Sequence, residues 1–337
     1  MEEKRTILQA DNLKKYFSDD RVLFTRTSNK VKAVDTISFT IQEGEIFGLV
    51  GESGCGKTTV ARLVLRLINP TDGSVQFENV DLFALRGQSS RSQRKHIQMI
   101  FQDPYSSLNP RWKVRQIIEE PLIAHKIGTK QERKQMVDEM LVKVGLPIET
   151  ANRYPHEFSG GQRQRIGIAR ALILHPKLVV CDEPISALDV SIQAQIINLL
   201  KDLQSEFGLT YLFITHDLRI VHYLCDKVAV MYLGKIVELA DKKTIFNQPL
   251  HPYTKALFSA IPCPDPKNKR KRIILEGDVP SPISPPSGCR FHERCPQVFE
   301  RCSLEEPPLY QLQNNHLCAC FLYSETQPPS VKEGSHG

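Results

Sequence analysis

The chain has 337 residues, room for one large domain with an appendage or for two of ordinary size, and 41% hydrophobic against 24% charged residues excludes disorder and a membrane-embedded chain. The N-terminus, MEEKRTILQADN, has no apolar leader, and no run of about 18 uncharged apolar residues occurs. A cytosolic protein is expected, in which nine cysteines read as thiols or metal ligands and not as bridges. The net charge of +6 is mild, and its densest run, Lys267 to Arg272, is short and lacks aromatics. A solvated loop is expected there, and no nucleic-acid partner.

From Val31 the apolar residues Ile37, Phe39 and Ile41 alternate, the chain turns at EGE, and IFGLV runs on without interruption. That is a half-buried strand followed by a buried one. GESGCGKT, Gly51 to Thr58, follows at once, and a helical pattern runs from Val60 to Ile68. Further helices are expected at Val137–Val144, ended by Gly145, and at Ile196–Phe207, ended by Gly208. KLVVCDE and LTYLFITHD read as central strands of a sheet covered on both faces. KVAVMYLGKIVELA reads as a hairpin turning at Gly234. Strands alternating with helices predict an α/β core. After Asn247 composition changes: more than half of the 22 prolines lie between Pro249 and Pro308, marking a linker and a loop-rich C-terminal module. No internal repeat appears, which excludes a tandem duplication.

Gly51 to Thr58 fits G-x-x-x-x-G-K-[ST], placed between a buried strand and a helix as a phosphate loop requires. Glycines let backbone N–H groups turn inward around phosphate oxygens, and the helix N-terminus adds partial positive charge. Lys57 reaches the β- and γ-phosphates, and the Thr58 hydroxyl ligates Mg²⁺. In LVVCDEP, Asp182 can orient Mg²⁺ through water while Glu183 polarises the attacking water. FSGGQRQRIGIARAL places Ser159, Gly160 and Gly161 before a helix whose apolar residues Ile166, Ala169, Leu172 and Ile173 keep helical spacing. Its N-terminus is a second phosphate-binding site.

With this stretch the sequence closely resembles the ATP-binding cassette family, over roughly Leu8 to Ala260. The resemblance implies a P-loop NTPase core with an antiparallel β subdomain and a helical signature subdomain at about 103–165. A nucleotide-binding domain would span 1–247 and a Pro/Cys-rich extension 248–337. Gln102 in FQDP resembles the Q-loop glutamine, SALD ending at Asp189 the D-loop, and His216 in ITHD the switch histidine. Phe17, or its neighbour Tyr16, resembles the aromatic that stacks on adenine. Nucleotide contacts are thereby implied at Phe17, Gly51, Glu52, Ser53, Gly54, Cys55, Gly56, Lys57, Thr58, Thr59, Gln102 and Asp182. The signature residues Ser159, Gly160, Gly161 and Gln162 would serve the ATP of a second cassette packed head to tail. Mg²⁺ would be held through Thr58, Gln102 and Asp182, with catalysis by Glu183, His216, Gln102 and Lys57. Cys55, inside the loop, is expected to react with alkylating agents.

FQDPYSSLNPRW and HPYTKALFSAIP resemble the ATP-binding subunits of bacterial dipeptide and oligopeptide permeases, PYSSLNPR favouring the second of the two paired ATPases. The likeness extends through GDVPSPISPPSGCRFHERCP. It implies a peptide importer on the cytoplasmic face of the membrane, with a sister ATPase, two permease subunits and an extracellular peptide-binding protein. Import of nickel or another small solute is the competing substrate class. A soluble cassette ATPase is the other alternative, but one phosphate loop and no sustained heptads argue against it. A non-catalytic regulatory module would lack Glu183 or Lys57, and both are present.

Cys289, Cys295 and Cys302, with Cys318 and Cys320 further on, form a cluster in a segment poor in apolar residues, which needs a staple to fold. Cys181 and Cys225 read as buried structural cysteines. Zinc prefers C-x-x-C knuckles, absent here, although His292 or His316 could complete a Cys/His site. Four wider-spaced thiolates suit an iron–sulfur cluster. The permease resemblance implies a 4Fe–4S cluster held by Cys289, Cys295, Cys302 and Cys320, with Cys318 a bystander. Iron or zinc, and Cys320 or Cys318, stay open.

Overall fold

A computed structural model describes residues 5–18, 30–103, 105–261 and 272–324. Of the basic run only Arg272 lies among the described residues. The first half runs β1 (Thr6–Ser18), β2 (Lys30–Gln42), β3 (Ile46–Val50), α1 (Lys57–Val64), β4 (Asp72–Phe77), β5 (Val80–Asp81), α2 (Gly87–Arg94) and β6 (Ile97–Ile100). Then come α3 (Val114–Ala124), α4 (Lys130–Lys143), α5 (Gly160–Leu172), β7 (Leu178–Asp182), α6 (Val190–Phe207), β8 (Thr210–Thr215) and α7 (Leu218–Leu224). The chain ends with β9 (Lys227–Tyr232), β10 (Lys235–Asp241), α8 (Lys242–Asn247), α9 (Pro252–Ser259), α10 (Glu300–Leu304), β11 (Tyr310–Gln311) and β12 (Leu317–Cys318).

Two sheets result. The antiparallel one has strand order β2-β1-β4-β5, and the larger one β11-β12-β10-β9-β3-β8-β7-β6, in which β9, β3, β8, β7 and β6 are mutually parallel. Alternate residues of the parallel strands face opposite cores. Val179, Cys181, Tyr211 and Phe213 look toward the helices, while Leu178, Val180, Leu212 and Ile214 look toward the antiparallel sheet and α1. A strand buried on both faces must be apolar throughout, which is why these runs show no alternation, whereas β2, exposed on one face, does. The glycine stops are real: α6 ends at left-handed Gly208, and Gly145 (φ 73°) follows α4. Gly234 (φ 81°) turns the β9–β10 hairpin.

Beyond Arg272 the chain is mostly loop, but it is not a detached appendage, because β12 pairs antiparallel with β10 and extends the main sheet. The extension expected from residue 248 onward thus adds a strand to the sheet of the domain before it. Glu238 of β10, fully buried, accepts from His316 Nε2 (2.7 Å) and from the N–H groups of Leu250 (2.9 Å) and His251 (2.8 Å). Three donors from the later segment depend on that one carboxylate. Glu238→Ala is expected to cost on the order of 3–5 kcal/mol, since it strands them all in the interior. A thermal melt unchanged from wild type would contradict this.

Candidate active site

The phosphate loop leaves the C-terminal end of β3, between the parallel strands β9 and β8, and strand C-terminal ends are where open α/β sheets place their ligands. Two glycines have no substitute there. A Cβ on Gly51 (φ 154°) would stand 2.1 Å from the Met231 carbonyl oxygen, and one on Gly56 (φ 109°) 2.0 Å from that of Ala33. Lys57, 5% exposed, donates through Nζ to the carbonyls of Gly51 (2.8 Å) and Glu52 (2.9 Å). Thr58 Oγ1 donates to Asp182 Oδ1 at 3.2 Å, joining the loop to the end of β7. Burial pushes the Asp182 carboxyl up and the Glu183 charge adds to this, while Thr58 and Lys57 oppose it. A buried carboxylate beside a hydroxyl is a hard-oxygen set that suits Mg²⁺ and gains from it.

Next along the chain, Glu183 sits at φ 46°, a backbone region that non-glycine residues avoid. Its side chain is held from both sides. Gln102 Nε2 donates to Glu183 Oε2 at 3.1 Å, and His216 Nδ1 lies 3.1 Å from Glu183 Oε1. The strand order β8-β7-β6 makes this possible, since His216, Glu183 and Gln102 each follow the end of one of three neighbouring strands. A carboxylate fixed between an amide and an imidazole, next to the phosphate loop, can align and polarise a water.

The signature stands elsewhere. Ser159 caps α5, its hydroxyl accepting from the Gln162 N–H (3.4 Å) while the Gln162 side chain accepts from the Ser159 N–H (3.0 Å). Among the described residues, Ser159 to Gln162 make no hydrogen bond to Gly51–Thr59. Gly161 is required by packing, since a Cβ would meet Ile192 Cγ2 of α6 at 2.5 Å. Sequence reading missed two ties from α5 to the chain around Gln102: buried Gln164 donates to the Phe101 carbonyl (3.4 Å) and Arg170 to that of Ser107 (2.6 Å). A buried glutamine inside an apolar helix face was the available signal.

Comparisons with known proteins identify the family. Residues 34–186 match the family model for ABC transporters, and residues 237–302 the oligopeptide/dipeptide transporter C-terminal region. The chain is 52% identical over 324 residues to the oligopeptide transport ATP-binding protein AppF of Bacillus subtilis (strain 168), covering 95% of this chain and 98% of that one. The chain belongs to the ABC transporter ATP-binding family. The probable peptide ABC transporter ATP-binding protein y4tS of Sinorhizobium fredii is 51% identical, over 94% of this chain and 90% of its own length. Among solved structures, the dimeric post-hydrolysis ATP-binding cassette MJ0796 bound to ADP and Pi matches with TM-score 0.62 at 28% identity, over 70% of this chain and 99% of that one. The cbiO1 subunit of the cbiONQ transporter of Clostridium perfringens matches with TM-score 0.63 at 28% identity, over 73% and 92%.

Within this cassette the two N-terminal aromatics part ways. The Tyr16 hydroxyl donates to Asp35 Oδ1 at 2.5 Å, whereas Phe17 is 38% exposed with Lys15 above its ring. Cys55 corrects an expectation: it is 4% exposed, its thiol pushed up by burial although Lys57 opposes the shift, so it is a poor target for alkylation. Cys181 and Cys225 are fully buried, as expected.

In the C-terminal segment, Cys289, Cys295, Cys302 and Cys320 line one small apolar recess, together with Phe291 and Phe321. Burial pushes the Cys289 thiol up to about 12 and the Cys320 thiol to about 11, each raised further by neighbouring thiols. Cys318 does not line the recess; it is buried in β12. His316 is corrected as a candidate ligand, because its Nε2 is committed to Glu238. His292 lies at the recess with Nδ1 2.9 Å from the Cys289 carbonyl. Among the described residues no three His, Cys, Asp or Glu side chains stand as a metal-holding group. No helix among them is long and apolar enough to cross a membrane.

Proposed function

We propose that this cassette is the ATP-hydrolysing subunit of a di- and oligopeptide importer. It docks from the cytoplasmic side onto two membrane permease subunits, pairs with a sister ATP-binding subunit, and serves an extracellular peptide-binding protein. The observation that carries the substrate class is the match of residues 237–302 to the oligopeptide/dipeptide transporter C-terminal region, within relatives that align over nearly the whole chain. The relatives reported above carry peptide names, which favours peptides over nickel.

Phe17 stacks on adenine. The phosphates are cradled by the loop from Gly51 through Ser53, Gly54 and Cys55 to Thr59, with Lys57 on their terminal oxygens. Mg²⁺ is held through Thr58, Asp182 and Gln102, and when bound it offsets charge on the phosphate oxygens. Glu183, aligned by Gln102 and His216, takes the proton from the attacking water. Ser159, Gly160, Gly161 and Gln162, which lie apart from their own chain's loop, close over the nucleotide of the sister cassette. Chemistry then waits on closure, and closure is what the permeases feel. ATP turnover by the reassembled complex in vesicles should rise with peptide and loaded binding protein. Stimulation by nickel and not by peptide would overturn the substrate assignment.

A second reading rests on the thiol recess. Cys289, Cys295, Cys302 and Cys320 would hold a 4Fe–4S cluster, which fits four thiols lining one apolar recess and the exclusion of Cys318 from it. The Cys289 and Cys320 thiols, pushed up to about 12 and about 11 by burial, carry their protons at neutral pH, so loading must expel them. Bound, the cluster supplies a covalent staple to a segment with little core of its own. Anaerobic purification should give a brown complex that loses its iron in Cys320→Ser and keeps it in Cys318→Ser. Stoichiometric zinc without iron, or loss in the Cys318 variant alone, would refute this.

A further inference from the structure

None of the roles above uses the way the later part of the chain grips the phosphate loop. Glu52, second in that loop, is fixed twice. Its N–H donates to the Tyr253 hydroxyl at 2.9 Å. Its carboxylate receives Arg294, with Nη1 2.9 Å from Oε2 and Nη2 3.4 Å from Oε1. The Arg294 side chain is 9% exposed, and its Nε is buried without a partner. A desolvated guanidinium is costly unless a fixed anion compensates it. Glu52 is its only ion-pair partner among the described residues.

The grip is rigid underneath. Tyr232, Tyr253 and Phe291 pack against one another with ring centroids 4.7, 5.3 and 5.4 Å apart. Arg294 Nη1 also reaches the Tyr232 hydroxyl at 3.4 Å. Tyr253 lies on α9, and Phe291 and Arg294 lie between Cys289 and Cys295. The loop's shape is therefore referenced to the C-terminal segment as well as to β3 and α1.

Electrostatics gives the grip a consequence. The loop must accept a polyanion, and Glu52 places a carboxylate within it. Left unpaired, that charge would repel the phosphates at short range in a partly desolvated site. Paired, it becomes a handle on the loop.

We infer that Arg294 is a positioning residue for ATP binding: it neutralises Glu52 and, with Tyr253, holds the phosphate loop in its receptive shape, so that the C-terminal segment sets nucleotide affinity. The inference rests on the reading of Gly51–Thr58 as the ATP site. A wild-type complex without ATP turnover would remove that reading itself; the variants address the inference alone.

In the assembled transporter, Arg294→Ala should raise the KM for ATP about tenfold, with kcat within about threefold of wild type, because the lost term is ground-state binding. Adding Glu52→Gln to it should bring KM back to within about threefold of wild type, since the unpaired charge is then gone. Arg294→Lys, which keeps the charge but loses the fork, should fall between. Where the alanine variant does not assemble, Arg294→Gln takes its place. A merely structural arginine would give no rescue by Glu52→Gln. An unchanged KM in the single variant, or a double variant no better than the single, overturns the inference.

Discussion

Glu183→Gln is expected to lower ATP turnover by about 10²–10⁴-fold while leaving ATP binding intact. The carboxylate is held at 3.1 Å by Gln102 on one oxygen and at 3.1 Å by His216 on the other. Both partners follow strands that flank β7, so the side chain is aimed by the sheet itself. An amide of the same shape keeps much of that placement and removes only the capacity to accept a proton. It does not touch the phosphate cradle: Lys57 and Thr58 bond to Gly51, Glu52 and Asp182. Binding and hydrolysis should therefore separate. The variant would accumulate as an ATP-loaded closed pair of cassettes, visible as a larger species in gel filtration with ATP and Mg²⁺. Turnover at the wild-type rate would remove Glu183 from the chemistry.

The separation of binding from hydrolysis also marks what could be read in the sequence. The phosphate loop is one contiguous stretch whose glycines, lysine and threonine each answer a local demand, so Gly51–Thr58 declares itself. The buried strands do so too, because burial on both faces leaves an uninterrupted apolar run. What a linear reading does not hold is juxtaposition across strands. Gln102 and His216 each look like a lone polar residue after a strand, and only the order β8-β7-β6 turns them into the two arms around Glu183. Cys55 is expected to be reachable from its place inside the loop, yet the loop's curl folds its thiol beneath Gly51, where a Cβ would stand 2.8 Å from the sulfur. Cys318 and Cys320 are equivalent by spacing. Pairing of Cys318 with Glu238 takes the first into the sheet and leaves the second for the recess. Most distant of all, Arg294 and Glu52 are separated by 242 residues, and no periodicity connects them.

Lys57→Ala is expected to weaken ATP binding by about 10²-fold or more, since each charge-assisted hydrogen bond lost is worth roughly 1.5–3 kcal/mol. The geometry of the loop shows why the loss falls on binding more than on folding. Lys57 Nζ is nearly buried, and its acceptors are carbonyls of the loop that it must hold open. Those bonds keep the ammonium desolvated and aimed within the loop. Part of the usual cost of ordering a lysine has been met before ATP arrives. Alanine removes the donor yet suits the first position of α1 by helix propensity, so the fold should persist. Titration with a fluorescent ATP analogue, alongside a melt of the nucleotide-free protein, distinguishes the two effects. Weak binding with a near-native melt would place Lys57 on the phosphates. Unchanged affinity would mean that the ammonium serves only the loop's own shape, and that the nucleotide is held by backbone N–H groups without it.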